Sequence, residues 1–150
     1  MASIQMTEDG MAGKIAVLLV DDHTLVRRGF RRLLEDESGI VVRGEASDGE
    51  EAIRLAKTLR PDVVVMDCAL PGVNGLIATR RILEENKDVA VLMLSMHSED
   101  TWVRQAFEAG ARGYMLKNAV DLELATAIRR VAAGEVVLDP QIDRLTTLKG

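Results

Sequence analysis

Four apolar runs in this sequence end in groups capable of polar chemistry. "LLVDDH" places Asp21 and Asp22 after one run, "VVVMDCALPG" places Asp67 after a second, "VLMLS" places Ser95 after a third, and "GYMLK" places Lys117 after a fourth. Three carboxylates brought together repel: two unit charges ~4 Å apart cost about 4 kcal/mol at an effective dielectric of 20. A divalent cation relieves this, and an all-oxygen, carboxylate-rich set suits octahedral Mg²⁺ (or Mn²⁺). An ammonium and a hydroxyl beside that cation complete a cradle for a phosphoryl group. One carboxylate could then act as nucleophile and become an acyl phosphate. The thiol of Cys68 competes for that role. Strand alternation aims it opposite to Asp67, and its local sequence offers no His or acid partner, so it is expected as a buried structural thiol.

These groups are far apart in the chain, so the fold must gather them. Short apolar runs alternate with amphipathic segments from Lys14 onward: "KIAVLLV", "GIVVRGEA", "DVVVMD", "VAVLMLS" and "GYMLK" read as strands. The first, third and fourth are apolar on both faces, as a parallel strand covered by helices on both sides requires. The more mixed "IVVRGEA" suits an edge. Between them lie helical patterns. Val26, Phe30, Leu33 and Leu34 share a face in the first, and Leu124, Ile128 and Val131 share one in the last, which Gly134 ends. Ser47 with Glu50 has capping-box spacing, Asn74 can cap "GLIATRRILEE", and Ser98 can cap "EDTWVRQAFEA", with Gly110 as its stop. Five β-α units imply an α/β doubly wound parallel sheet, flavodoxin-like, with strand order 2-1-3-4-5. In such a sheet ligands bind outside the carboxyl ends of the strands, where Asp21, Asp22, Asp67, Ser95 and Lys117 stand.

Bulk properties agree with one soluble domain. The 150 residues are 47% hydrophobic and 29% charged, with a net charge of −5. No apolar run approaches the roughly 20 residues of a membrane helix. "MASIQMTEDGMAGK" carries acids and lacks an apolar stretch, so it does not read as a signal peptide. The acidic balance argues against a nucleic-acid footprint. A single cysteine excludes an internal disulfide and a multi-cysteine metal site and fits a cytoplasmic setting. Residues 1–13 read as a loose tail, 14–134 as the domain, and 135–150 as the start of a linker.

The four motifs, in this order and at these spacings, resemble the receiver domain of two-component response regulators over about residues 14–134. "VDDHTLVRRGFRRLL", "LPGVNGLIATRRI" and "GARGYMLKNA" look most like the NarL/FixJ branch, whose members carry a C-terminal LuxR-type helix-turn-helix. The resemblance implies that Asp67 is the phosphoacceptor. Asp22 would bind Mg²⁺ directly, Asp21 largely through water, and the backbone carbonyl of Ala69 would be the third protein ligand. Lys117 would pair with phosphoryl oxygens, and Ser95 would bond one of them. Tyr114 would be the switch aromatic that turns inward when the hydroxyl residue moves. Ala69 and His97 stand where side chains influence acyl-phosphate lifetime. The implied partners are a histidine kinase and a second copy on phosphorylation, through helices 1 and 5 or the 4-5-5 face. Contact with DNA would pass through an output domain absent from this chain, and no membrane is involved.

Other readings stay beside this one. His23 could ligate a metal, although the site does not need it. Arg27, Arg28, Arg31 and Arg32 form a basic stripe, read as a solvated face or a docking patch for an acidic surface. Trp102 reads as core or rim. A haloacid-dehalogenase-type phosphatase also uses an Asp nucleophile, but its D-x-D signature lacks a counterpart, since Cys68 and Ala69 follow Asp67. A phosphorylation-independent interaction module would have less use for the retained acids and lysine.

Overall fold

Alternating strand and helix propensity produces alternating elements in the computed structural model, which describes residues 13–117 and 120–142, with the side chains of 120–122 excepted. The expected tail, apart from Gly13, and the last eight residues of the expected linker lie outside the described residues. The strands are β1 (Ile15–Val20), β2 (Ile40–Ala46), β3 (Val63–Asp67), β4 (Ala90–Ser95), β5 (Gly113–Leu116) and β6 (Val137–Leu138). The helices are α1 (Thr24–Glu35), α2 (Gly49–Leu59), α3 (Gly75–Glu85), α4 (Asp100–Glu108) and α5 (Val120–Ala132). All strand pairs are parallel, in the order β2-β1-β3-β4-β5-β6. The first five follow the expected winding, and the chain reverses direction across the sheet between β1 and β3.

Two apolar layers cover the sheet. Leu18, Val20, Val64, Met66, Val91 and Met93 face α2, α3 and α4. Val17, Leu19, Val63, Val65, Leu92 and Leu94 face α1 and α5. This is period-2 alternation with both faces buried, and each such side chain contributes about 1.5–3 kcal/mol. Cys68 belongs to the first layer, with Met66. Burial pushes its thiol up to about 11, which keeps it unreactive.

Helix ends follow the sequence in part. Asn74 caps α3, its side chain accepting from the Ile77 N–H at 2.9 Å. The α2 cap sits one residue later than the Ser47–Glu50 spacing suggests. Asp48 accepts from the Glu51 N–H at 2.8 Å, and the Glu51 carboxylate reaches back to the Ser47 N–H at 2.8 Å. An ionised acceptor is the stronger partner for an exposed helix N–H, so Asp48 takes the place of Ser47. Ser98 is likewise displaced: Glu99 holds the N-cap position of α4 without a side-chain cap bond, and Asp100 supplies negative charge in the first turn. Gly110, at φ +108, ends α4 as expected.

Two expectations for α1 change. Phe30 and Leu34 are buried, but Val26 and Leu33 remain about two-fifths exposed, because α1 packs chiefly on β1, β2 and α5 near the sheet edge. The arginine stripe is not a uniformly free face. The Arg27 Nε donates to Glu45 Oε1 at 2.7 Å and the Arg31 Nη1 to Glu45 Oε2 at 2.6 Å. Burial alone would raise the Glu45 carboxyl, but the two guanidiniums outweigh it and hold it below the ordinary value.

The segment after Gly134, read from sequence as linker, continues the sheet. Val137 pairs with Gly113 and Leu138 with Tyr114. Asp139 is fully buried, its N–H donating to the Tyr114 carbonyl at 2.9 Å. Its Oδ2 accepts from the Leu116 N–H at 3.0 Å and its Oδ1 from the Gln141 N–H at 2.9 Å. Asp139→Ala orphans the buried Leu116 N–H and is expected to lower unfolding free energy by about 1–3 kcal/mol in urea titration. An unchanged midpoint would show that this segment adds nothing to the domain.

Candidate functional site

Parallel strands of similar length end at one edge of the sheet, and there the groups singled out in the sequence meet. Asp21 follows β1, Asp67 closes β3, Ser95 closes β4, and Lys117 follows β5. The Lys117 Nζ lies 3.0 Å from Asp67 Oδ2 and 3.1 Å from Asp21 Oδ2, so one ammonium bridges two carboxylates. The other oxygen of Asp67 accepts from the Ala69 N–H at 3.1 Å. Both oxygens of Asp67 are therefore oriented, and the side chain is 4% exposed.

Asp21 is equally buried, and its Oδ1 accepts from the His23 N–H at 2.8 Å. Its backbone carbonyl accepts from the Arg27 guanidinium at 2.5 Å, so the Glu45–Arg27 pair also fixes the loop after β1. Asp22 is more open. Ligand atoms of Asp21, Asp22, His23 and Asp67 lie within 4.8 Å of one another. The His23 Nδ1 stands 3.3 Å from Asp22 and 3.4 Å from Asp21.

The electrostatics follow from crowding. Burial, reinforced by Asp21, pushes the Asp67 carboxyl above its ordinary value against the opposing pull of Lys117. Burial alone would lower the Lys117 ammonium, but its bonds to Asp67 and Asp21 outweigh it and raise it. Two buried carboxylates thus share one lysine, with Asp22 beside them. This donor set, of hard oxygens in excess of positive charge, fits a hard divalent cation.

Ser95 and Tyr114 meet on a different partner, the loop after β4. The Ser95 Oγ accepts from the His97 N–H at 3.0 Å. Tyr114 is fully buried, and its hydroxyl donates to the His97 carbonyl at 2.7 Å. Burial pushes that hydroxyl up to about 12, so it stays a donor. The inward orientation expected for Tyr114 is therefore already adopted here. The His97 ring stacks on Trp102, with centroids 4.3 Å and planes 4° apart. Ala69 is exposed beside Asp67.

Sequence reasoning missed three supports of the site. The Glu45–Arg27 tether and the His97–Trp102 stack leave no local pattern. Gly75 did have a signal, the Pro-Gly-x-x-Gly spacing after Asp67: a Cβ on it would lie 2.2 Å from the Asp67 carbonyl oxygen. Only glycine lets α3 approach the strand end so closely.

Comparison with known proteins agrees with this geometry. A family profile described as the response regulator receiver domain matches residues 17–129. The response regulator GacA of Pseudomonas aeruginosa is 45% identical over 135 residues, which span 90% of this chain and 63% of that protein. The response regulator UvrY of Escherichia coli is 50% identical over 121 residues, 81% of this chain and 56% of that one. The chain thus spans less than two-thirds of the length of these relatives. A two-component response regulator of the LuxR family from Aurantimonas superposes with a TM-score of 0.84 at 42% identity, covering 87% of this chain and 94% of the other. The receiver domain of a NarL response regulator from Mycobacterium tuberculosis gives 0.78 at 35% identity, covering 81% and 98%.

Two predictions test the site. Gly75→Ala forces backbone against backbone and is expected to cost roughly 2 kcal/mol or more in chemical denaturation, outweighing the helix preference of Ala. Asp67→Asn is expected to raise Tm at neutral pH without divalent cations. The folded-state value of Asp67 is raised, so ionisation is harder in the folded than in the unfolded protein. Its destabilising effect is absent below the unfolded value and grows as pH rises towards and through the folded one. The advantage of the variant should follow that window. A Tm difference independent of pH would contradict the assigned strain.

Proposed function

The chain belongs to the response-regulator receiver family, and on that premise we propose that Asp67 accepts a phosphoryl group and that its modification switches the domain. The observation that carries this reading is the Lys117 bridge between two buried carboxylates, with Asp22 alongside. Asp22 and Asp67, the Ala69 carbonyl, and Asp21 through water would hold Mg²⁺ or Mn²⁺. When bound, that cation would neutralise charge on the incoming phosphoryl group.

In the proposed step an Asp67 oxygen attacks phosphorus in line. The bond from phosphorus to the donor nitrogen of a kinase phosphohistidine breaks, and its electron pair returns to that imidazole. Burial makes the Asp67 oxygens more basic, while Lys117 favours their ionised, nucleophilic form. The product brings up to about two negative charges into a buried position. Lys117 then transfers its contacts to phosphoryl oxygens. The Ser95 hydroxyl turns from the His97 N–H to donate to the new group, which frees the loop after β4. Inward Tyr114 is compatible with the unmodified chain, so the modification acts by shifting populations between existing states. The altered surface of α4, β5 and α5 would change pairing with a second copy or control of a LuxR-type DNA-binding output. The partner kinase and the switch itself would operate in the cytoplasm. The domain turns over no separate substrate; it carries out its own phosphorylation and dephosphorylation.

Incubation with acetyl phosphate and Mg²⁺ is expected to give one acid-stable, alkali-labile label per chain, absent from Asp67→Asn and after chelation. Lys117→Ala should keep metal binding while losing most of the change in apparent size on adding beryllofluoride. No label on the wild-type chain would favour the phosphorylation-independent module. Repeated turnover of p-nitrophenyl phosphate would favour the phosphatase.

A further inference from the structure

The peptide that joins Asp21 to Asp22 is gripped on its oxygen by a side chain from α1. The Arg27 Nη1 donates to the Asp21 carbonyl at 2.5 Å, and the Arg27 Nε donates to Glu45 Oε1 at 2.7 Å. The Asp21 N–H is engaged as well, donating to the Ala46 carbonyl at the end of β2 at 3.1 Å. Arg27 and Glu45 are both partly buried, so salt screens these charge-assisted bonds poorly. A peptide unit is planar, so holding its oxygen fixes its plane and with it the direction in which Asp22 leaves. Lys117 and the His23 N–H orient the Asp21 carboxylate itself. The more open Asp22 carboxylate faces only the His23 imidazole, at 3.3 Å, among the described residues. Its placement therefore rests on the backbone that carries it.

We propose that Arg27, held by Glu45, is a positioning residue for the divalent cation: its grip on the Asp21 carbonyl sets Asp22 in place before the ion arrives. The proposal rests on the reading of Asp21, Asp22 and Asp67 as the cation site. Glu45 acts through Arg27, aiming a planar guanidinium whose fork serves two acceptors at once. Arg31 shares the same carboxylate, its Nη1 donating to Glu45 Oε2 at 2.6 Å, but its Nε turns to Glu35 at 2.9 Å, back along α1. The two arginines thus differ in one respect that matters here, the bond to Asp21. Coulomb's law and positioning predict opposite signs for Arg27. Removing a positive charge beside a cation site should tighten the cation, whereas removing a positioning residue should loosen it. Groups that orient metal ligands from outside the coordination shell are typically worth about 10–100-fold in affinity.

The test is the dissociation constant for Mn²⁺, read from the electron paramagnetic resonance signal of the free ion as the metal is titrated into the protein. Arg27→Gln is expected to weaken Mn²⁺ binding roughly 10-fold or more. Glu45→Gln should weaken it as well, but should add little on top of Arg27→Gln, because Glu45 acts through Arg27. A plain charge effect of Glu45 would persist in the Arg27→Gln background. Arg31→Gln loses a Glu45 bond of similar length and should keep the wild-type constant, which separates positioning from a general loosening of α1. Unchanged or tighter binding in Arg27→Gln, equal weakening in Arg31→Gln, or full additivity in the double variant would overturn the proposal while leaving the cation site intact. Absence of Mn²⁺ binding by the wild-type chain would instead remove the cation reading, and the proposal with it. Should Arg27→Gln not fold, Arg27→Lys keeps the charge and gives up the fork. Weaker Mn²⁺ binding is expected there too, and wild-type affinity would overturn the proposal.

Discussion

Three carboxylates gather around one ammonium that pairs with only two of them at the edge of the sheet, and the rest of the structure answers to that imbalance. Lys117 satisfies an oxygen each of Asp67 and Asp21, while Asp22 remains beside them without an equivalent partner. Water would dissipate such crowding cheaply. Here Asp67 and Asp21 are buried; that burial, reinforced by repulsion from Asp21, holds the Asp67 carboxyl above its ordinary value and leaves a demand for positive charge. A site left this way has affinity in reserve for a cation and for the groups that a cation attracts.

Holding the imbalance requires rigid placement, and supports arrive from several directions. The backbone N–H groups of Ala69 and His23 orient the carboxylates. Arg27 clamps the carbonyl of Asp21 from α1 and is itself clamped by Glu45 on the edge strand. Gly75 lets α3 press against the Asp67 backbone. Asp139, just after β6, accepts from the N–H of Leu116, the last residue of β5 and the one before Lys117. The site is thus tied to both edges of the sheet. In the loop after β4, Ser95, His97, Trp102 and Tyr114 form one connected unit.

Much of this was legible in the chain. Doubly apolar runs identified β1, β3 and β4 as inner strands, the mixed run placed β2 at an edge, and polar residues at run ends marked the site. What stayed hidden was non-local or shared between neighbours. Val137 and Leu138 make too short a run to signal a strand, and they become β6 only because β5 offers an open edge. Half of the α1 apolar face is uncovered because helix periodicity does not report how many neighbours a helix has. The cap of α2 moved by one residue because adjacent polar side chains compete for the same N–H groups, while α4 starts one residue later than expected with no side chain bonding its first N–H groups.

By itself the sequence determined which residue types could do the chemistry and the order in which strands deliver them, since side-chain periodicity and turn preferences are local properties of the chain. Only the tertiary structure decided that Lys117 divides itself between Asp67 and Asp21, that Glu45 recruits Arg27 and Arg31, and that His97 rests on Trp102. Those contacts join residues from different elements. Their energies depend on distances and burial that exist only once the sheet has been wound and both its faces covered.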